Sequence, residues 1–121
     1  MNIIKDVVLG ADPEVFLFDS EAGQFVSSID KIGGTKHCPM YLEKGFAVQE
    51  DNVLAEFNIP PAQTEHEFVA NLNKGFALLS NILPPNLQLK ISSSAFMPAS
   101  EVSDPRAKEF GCDPDFNAWV S

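Results

Sequence analysis

Apolar residues Phe68, Leu72, Phe76, Leu79 and Leu83 recur at intervals of four or three, the spacing of one helical face. Thr64 and Glu67 form a capping box ahead of this run, and Pro84-Pro85 ends it. The pattern predicts a helix over 64–83 whose apolar stripe lies across a sheet, with Phe68 and Phe76 in the core. Gly75 lets that helix approach the sheet closely, at some cost in helix propensity. His66 falls in the first turn and reads as solvated.

Elsewhere the alternation is that of strands. Residues 7–19 form the first candidate, interrupted by Pro13, which removes a ladder donor and so marks an edge or a bulge. A turn around Gly23 leads to a second candidate over 25–29. Residues 46–50 and 53–59 read as a hairpin turning near Asp51-Asn52. In its second arm Val53, Ala55, Phe57 and Ile59 share one parity, and Leu54, Glu56 and Asn58 share the other. Leu87, Leu89 and Ile91 alternate in a further strand over 87–96, and the polar stretch 100–109 predicts a short helix broken or restarted at Pro105. FGCDPDFNAW, at 110–119, has no period and reads as a structured loop. Strands, then a long helix, then a strand and a short helical piece make an α+β fold on an antiparallel or mixed sheet. A doubly wound fold suits the chain poorly, because the first four strand candidates have no helices between them.

With 121 residues, 45% hydrophobic content and ten Phe, the sequence predicts one folded domain with a real core. A net charge of −9, with eight Lys and Arg scattered singly, argues against nucleic-acid binding. No apolar run reaches a membrane-spanning length, and the opening MNIIK lacks a signal-peptide core, so the expected location is the cytoplasm. Cys38 and Cys112 read as reduced thiols, a single disulfide being the alternative. Together with His37 and His66 they lack the closely spaced ligand pairs of a zinc site.

Four acids stand out against this background: Asp12 and Glu14 in GADPEVFLF, and Glu50 and Glu56 in VQEDNVLAEFNIPPA. Asp12 and Glu14 have equal parity and project together; Glu50 and Glu56 do so if the chain folds back between them. Asp12-Pro13 also suits a turn start, and Glu50-Asp51 a solvated hairpin tip. Glu14 and Glu56 adjoin apolar runs and should lie near the core, where a carboxylate needs a cation or donors to stay ionised. An all-oxygen set converging on one face suits Mg²⁺ or Mn²⁺, and points to an enzyme site that uses a nucleotide. The loop Gly33-Gly34-Thr35-Lys36 can turn backbone N–H groups and an ammonium toward a phosphate or substrate, or can be an ordinary flexible loop.

GADPEVFLF at 10–18, IGGTKHCP at 32–39, VQEDNVLAEFNIPPA at 48–62 and FGCDPDFNAW at 110–119 together resemble the phage carboxylate–amine (COOH-NH2) ligases of type 2. That family belongs to the glutamine synthetase-like and glutamate–cysteine ligase-like superfamily. The resemblance implies a partial catalytic domain on a curved antiparallel sheet whose concave face holds Mg²⁺ and ATP. By it, Asp12 and Glu14 match the first-strand metal acids and Glu50 and Glu56 the hairpin metal acids, with Glu14 and Glu56 central to catalysis. Gly33, Gly34, Thr35, Lys36 and Asn58 are the candidate phosphate or substrate contacts read from the residues themselves. The implied reaction passes the γ-phosphoryl group of ATP to a carboxylate of a small molecule or peptide, and an amine then displaces phosphate to form an amide.

Relatives continue past FGCDPDFNAW into a Gly-Gly-His-x-His strand that supplies a metal-binding histidine, and this chain stops at Ser121. The sequence is therefore expected to be the N-terminal portion of a ligase catalytic domain. Alone it should hold half an active site, with turnover absent or dependent on a second copy or a complementing C-terminal chain. If phage-encoded, it works in the host cytoplasm. The alternative is a non-catalytic, truncated phage protein that binds a host or phage protein through its acidic surface.

Overall fold

The computed structural model describes residues 7–109. Its elements in chain order are strands β1 (Glu14–Asp19), β2 (Gln24–Val26), β3 (Met40–Glu43), β4 (Phe46–Asp51) and β5 (Leu54–Asn58), helix α1 (Glu65–Ile82), strand β6 (Leu87–Lys90), helix α2 (Ala99–Val102) and a 3₁₀ turn, Pro105–Lys108. Every strand pairing is antiparallel, which selects between the two sheet types the sequence allowed. The fold is α+β, with a curled sheet and one long helix.

Strand β1 organises the sheet. Glu14 and Val15 pair with β5, whereas Leu17–Asp19 pair with β2 and Phe16–Asp19 with β6. The pairing with β5 continues upstream of the strand, because Phe57 N–H donates to Pro13 O at 3.1 Å and Ile59 N–H to Ala11 O at 3.3 Å. Proline sits here because only its carbonyl is needed. Two hairpins complete the sheet, β3–β4 around Lys44-Gly45 and β4–β5 around Asn52-Val53. Gly45 takes φ 85°, and a Cβ there would meet Pro60 Cβ at 2.7 Å, so both conformation and space require glycine. Asn52 takes φ 56°, which Asn tolerates better than most side chains.

The apolar parity of the hairpin makes the core. Val48, Ala55 and Phe57 are buried with Val15 and Leu17 of β1, and α1 packs on Phe57 and Ile59. Thr64 caps the helix, its Oγ1 accepting from Glu67 N–H at 3.1 Å. Gly75 lies directly over the sheet: a Cβ there would sit 2.5 Å from the Phe57 ring. Leu79 is fully buried, and removing a Leu side chain of this kind from water contributes roughly 1.5–3 kcal/mol. Phe68 and Phe76 pack on the core only partly buried.

Three differences from the sequence reading have simple causes. Strand β3 was not foreseen, because its Met40-Tyr41-Leu42-Glu43 run is short and lies at the sheet edge, where Tyr41 is exposed. Strand β2 ends at Val26, since Ser27–Ile29 turn inward instead: Ser28 N–H donates to Val53 O at 3.0 Å, and Ser27, Ser28 and Ile29 are buried. Strand β6 stops at Lys90, leaving Ile91 84% exposed. The polar stretch after it breaks at Pro105, as its composition predicts, into α2 and the 3₁₀ turn. That segment is held by polar contacts, chiefly Arg106 to both Asp30 carboxylate oxygens at 2.9 Å and Ser27 N–H to Glu101 Oε2 at 2.9 Å. FGCDPDFNAW and Cys112 lie outside the described residues. Among those described, no helix is long and apolar enough to cross a membrane.

Candidate metal centre

Glu14 of β1 and Glu56 of β5 are direct cross-strand partners. The bond from Phe57 N–H to Pro13 O flanks them, so they form the non-hydrogen-bonded kind of antiparallel pair, in which side chains approach most closely. Both therefore project from the same face. Strand β4 supplies the third group. Its register sets Gln49 opposite Glu56 and Asp51 opposite Leu54, which places Gln49 and Asp51 on the face that carries Glu56. Carboxylate oxygens of Glu14, Asp51 and Glu56 lie within 4.8 Å of one another.

The same register separates Glu50 from this group. Glu50 pairs with Ala55, one residue off Glu56, and so points to the opposite face, where it is buried. There its Oε2 accepts from Asp30 N–H at 3.0 Å. The sequence groups Glu50 with Glu56 if the chain folds back between them, and offers a solvated tip at Glu50-Asp51 as the alternative. A two-residue turn at Asn52-Val53 makes paired positions differ by an odd number, which exchanges the roles of Glu50 and Asp51. An odd-separation rule for a tight hairpin was the available signal. Asp12 is exposed and adjoins Glu56, outside the three acids whose oxygens lie within 4.8 Å of one another.

Electrostatics mark the group as short of positive charge. Burial, then hydrogen bonding to the neighbouring Asp12 and the charges of Asp51, Asp12 and Glu14, push the Glu56 carboxyl up to about 7. Glu14 is raised as well, first by desolvation and then by Asp51, while Lys36 pulls it back. Two donors fix the geometry. Gln49 Nε2 donates to Glu56 Oε2 at 2.8 Å, and Lys36 Nζ lies 3.0 Å from Asp51 Oδ1. Among the described residues, one ammonium among four carboxylates leaves a strong excess of negative charge.

The donor set fits a hard divalent cation. Oxygens around octahedral Mg²⁺ sit at about 2.1 Å, hence about 3 to 4.2 Å from each other, and water completes the shell. The Glu14, Asp51 and Glu56 oxygens, within 4.8 Å, reach that spacing by small side-chain rotations.

The Gly33–Lys36 loop has a structural explanation independent of any ligand. A Cβ on Gly34 would lie 2.2 Å from Val48 O and 2.5 Å from Met40 N, so glycine is required for the loop to pass against β4. Gly34 O in turn accepts from Glu50 N–H at 2.9 Å. Gly33 sits against Met40, and Thr35 closes a turn with Cys38 through paired backbone bonds of 3.0 and 3.1 Å. Of this loop, Lys36 is the residue that touches the acid cluster. Asn58 follows Glu56 on the same strand face, opposite Ala47. His37 and Cys38 are exposed at the loop surface, and His66 is exposed on α1. Comparison of the chain with protein-family models, curated proteins and solved structures finds no match.

Proposed function

We propose that Glu14, Asp51 and Glu56, with Asp12 beside them, hold Mg²⁺ or Mn²⁺, and that the chain carries the metal-binding sheet of an ATP-dependent carboxylate–amine ligase. The observation that carries this reading is the convergence of three carboxylates from three strands on one sheet face, within 4.8 Å and without a matching number of cations among the described residues. The likeness of GADPEVFLF and VQEDNVLAEFNIPPA to the type 2 ligases supplies the reaction class.

When bound, a divalent ion at such a site offsets the negative charge of phosphate oxygens during phosphoryl transfer. The chain's own residues prepare for it. Gln49 holds Glu56 in one rotamer, and Lys36 holds Asp51, so the acids present fixed lone pairs rather than searching for them. Release of the proton that Glu56 retains near neutral pH accompanies cation binding. In the proposed reaction a substrate carboxylate oxygen takes the γ-phosphoryl group and ADP leaves. An amine nitrogen then attacks the acyl carbon, phosphate departs, and the nitrogen loses a proton to give the amide.

Mn²⁺ titration followed by electron paramagnetic resonance tests the site first. Saturable binding lost in Glu14→Gln and Glu56→Gln is expected, and binding indifferent to both substitutions would remove these acids from the reading. ADP release from MgATP in the presence of mixed amino acids tests the activity. ADP formation that persists unchanged in both variants would sink it.

A further inference from the structure

Lys36 joins the acid cluster to a segment far along the chain. Its Nζ lies 3.0 Å from Asp51 Oδ1, and donates to Asn52 Oδ1 at 2.7 Å and to Glu109 O at 2.8 Å, which engages all its protons. The side chain is only 10% exposed, so solvent screens its charge poorly. That charge reaches past Asp51, since it also pulls the Glu14 carboxyl back toward its ordinary value.

The strap 98–109 fixes Lys36 in this place. Glu109 O accepts from Lys36 Nζ and, at 2.8 Å, from Asn52 Nδ2, which also donates to Ala107 O at 3.0 Å. None of residues 98–109 is buried. The other ties of the strap are likewise polar: Arg106 to both Asp30 carboxylate oxygens at 2.9 Å, and Ser27 N–H to Glu101 Oε2 at 2.9 Å. Docked, the strap closes a cavity of about 230 Å³ beside the β4–β5 turn, lined by Lys36, Glu50, Asn52, Arg106 and Glu109 among others. A segment held without apolar burial undocks well short of global unfolding. Undocking withdraws the Glu109 carbonyl, and the flexible stem of Lys36 can then carry the ammonium out to solvent.

We propose that Lys36 is a tethered counter-ion of the acid cluster, so that docking of the strap and binding of a divalent cation by Glu14, Asp51 and Glu56 oppose each other. The inference rests on the metal reading above and adds a means of regulating that site. Lys36 acts on Asp51 in two ways: it orients one carboxylate oxygen, and it sets a positive charge against a group the ion would share. Orientation favours the ion and charge opposes it. For a poorly screened ammonium the charge is the larger effect. The coupling is reciprocal: the factor by which a docked strap weakens cation binding is the factor by which the cation weakens docking.

The test is Mn²⁺ titration of the full chain, followed by electron paramagnetic resonance, beside Lys36→Met, Arg106→Gln and Lys108→Gln. Lys36→Met should bind Mn²⁺ about tenfold or more tightly than the original chain. Arg106→Gln loses the two-oxygen tie to Asp30 without touching the acid cluster, and should also bind more tightly, by a smaller factor. Lys108→Gln makes the same charge change at an exposed strap position and should bind like the original. A merely structural role for Lys36 or Arg106 predicts weaker binding instead. In the original chain, hydrogen exchange at the Ser27 amide reports docking through Glu101. It should be faster in MgCl₂ than in NaCl of equal ionic strength, while the buried Val48 does not speed up. Unchanged or weaker Mn²⁺ binding by Lys36→Met, or Ser27 exchange no faster in MgCl₂, overturns the proposal and leaves the metal reading standing. Absence of saturable Mn²⁺ binding in every form removes the metal reading, and this coupling with it. Should Lys36→Met not fold, Arg106→Gln decides: tighter binding than Lys108→Gln supports the coupling, and equal or weaker binding overturns it.

Discussion

Glu56→Gln should make the metal-free protein more stable at neutral and alkaline pH. Glu56 is 5% exposed, and burial first, then Asp12, Asp51 and Glu14, raises its carboxyl from an ordinary 4.5 to about 7. The folded state therefore binds this proton more tightly than the unfolded chain does. Between those two values the native protein carries more protons, so stability must fall as pH rises through the window and then level off. The full loss is at most on the order of 3–4 kcal/mol, since each pH unit between the two values is worth about 1.4 kcal/mol. Glu14, also raised, adds with the same sign. Asp19, Asp30 and Asp104 are lowered by their hydrogen bonds to backbone N–H, Asn86 and Arg106; their contribution is lost as pH falls, below the window in question. Gln keeps the shape and can still accept from Gln49, while removing the charge. Urea unfolding followed by circular dichroism, in EDTA from pH 4.5 to 8.5, measures the effect. The original chain should lose stability across that range, and Glu56→Gln should lose less, with the two nearly equal at the acid end. Added MgCl₂ should restore the original chain at pH 8 and leave the variant unchanged. Equal pH slopes for the two proteins would refute the electrostatic argument, whatever metal does.

Other outcomes follow from packing. Gly34→Ala drives a Cβ to 2.2 Å from Val48 O, a backbone atom that cannot swing away, so a destabilisation on the order of 3 kcal/mol is expected by urea unfolding. Gly75→Ala gains up to about 1 kcal/mol of helix propensity but crowds the buried Phe57 ring at 2.5 Å; overpacking of about 1–3 kcal/mol should win, lowering the melting temperature. Thr64→Ala removes the oxygen that accepts from Glu67 N–H, with an expected cost of about 1 kcal/mol and faster hydrogen exchange confined to the first turn of α1.

The helix was legible because its information is local. Thr64, Glu67, the Phe68–Leu83 periodicity and Pro84-Pro85 all act within a few residues, and the observed Glu65–Ile82 agrees with 64–83. The break at Pro105 and the hairpin core of Ala55 and Phe57 were readable for the same reason. Glu14 and Glu56 stand out because acids beside apolar runs conflict with burial; they lie on one face, but only Glu56 is buried, whereas Glu14, at the start of β1, is exposed. Membership of the rest of the site depends on register. One residue of slippage in a hairpin carries every side chain to the other face, so Asp51 rather than Glu50 joins the cluster, and composition at 50–51 cannot reveal which. Long-range closure decided the remainder. Residues 35–37 and 106–109, far apart in sequence, meet over the β4–β5 turn through Lys36 and Asn52, and this meeting creates the cavity at Glu50. Periodicity records which side of an element faces the core; which elements become neighbours is a property of the closed chain, where pairing and packing are satisfied together.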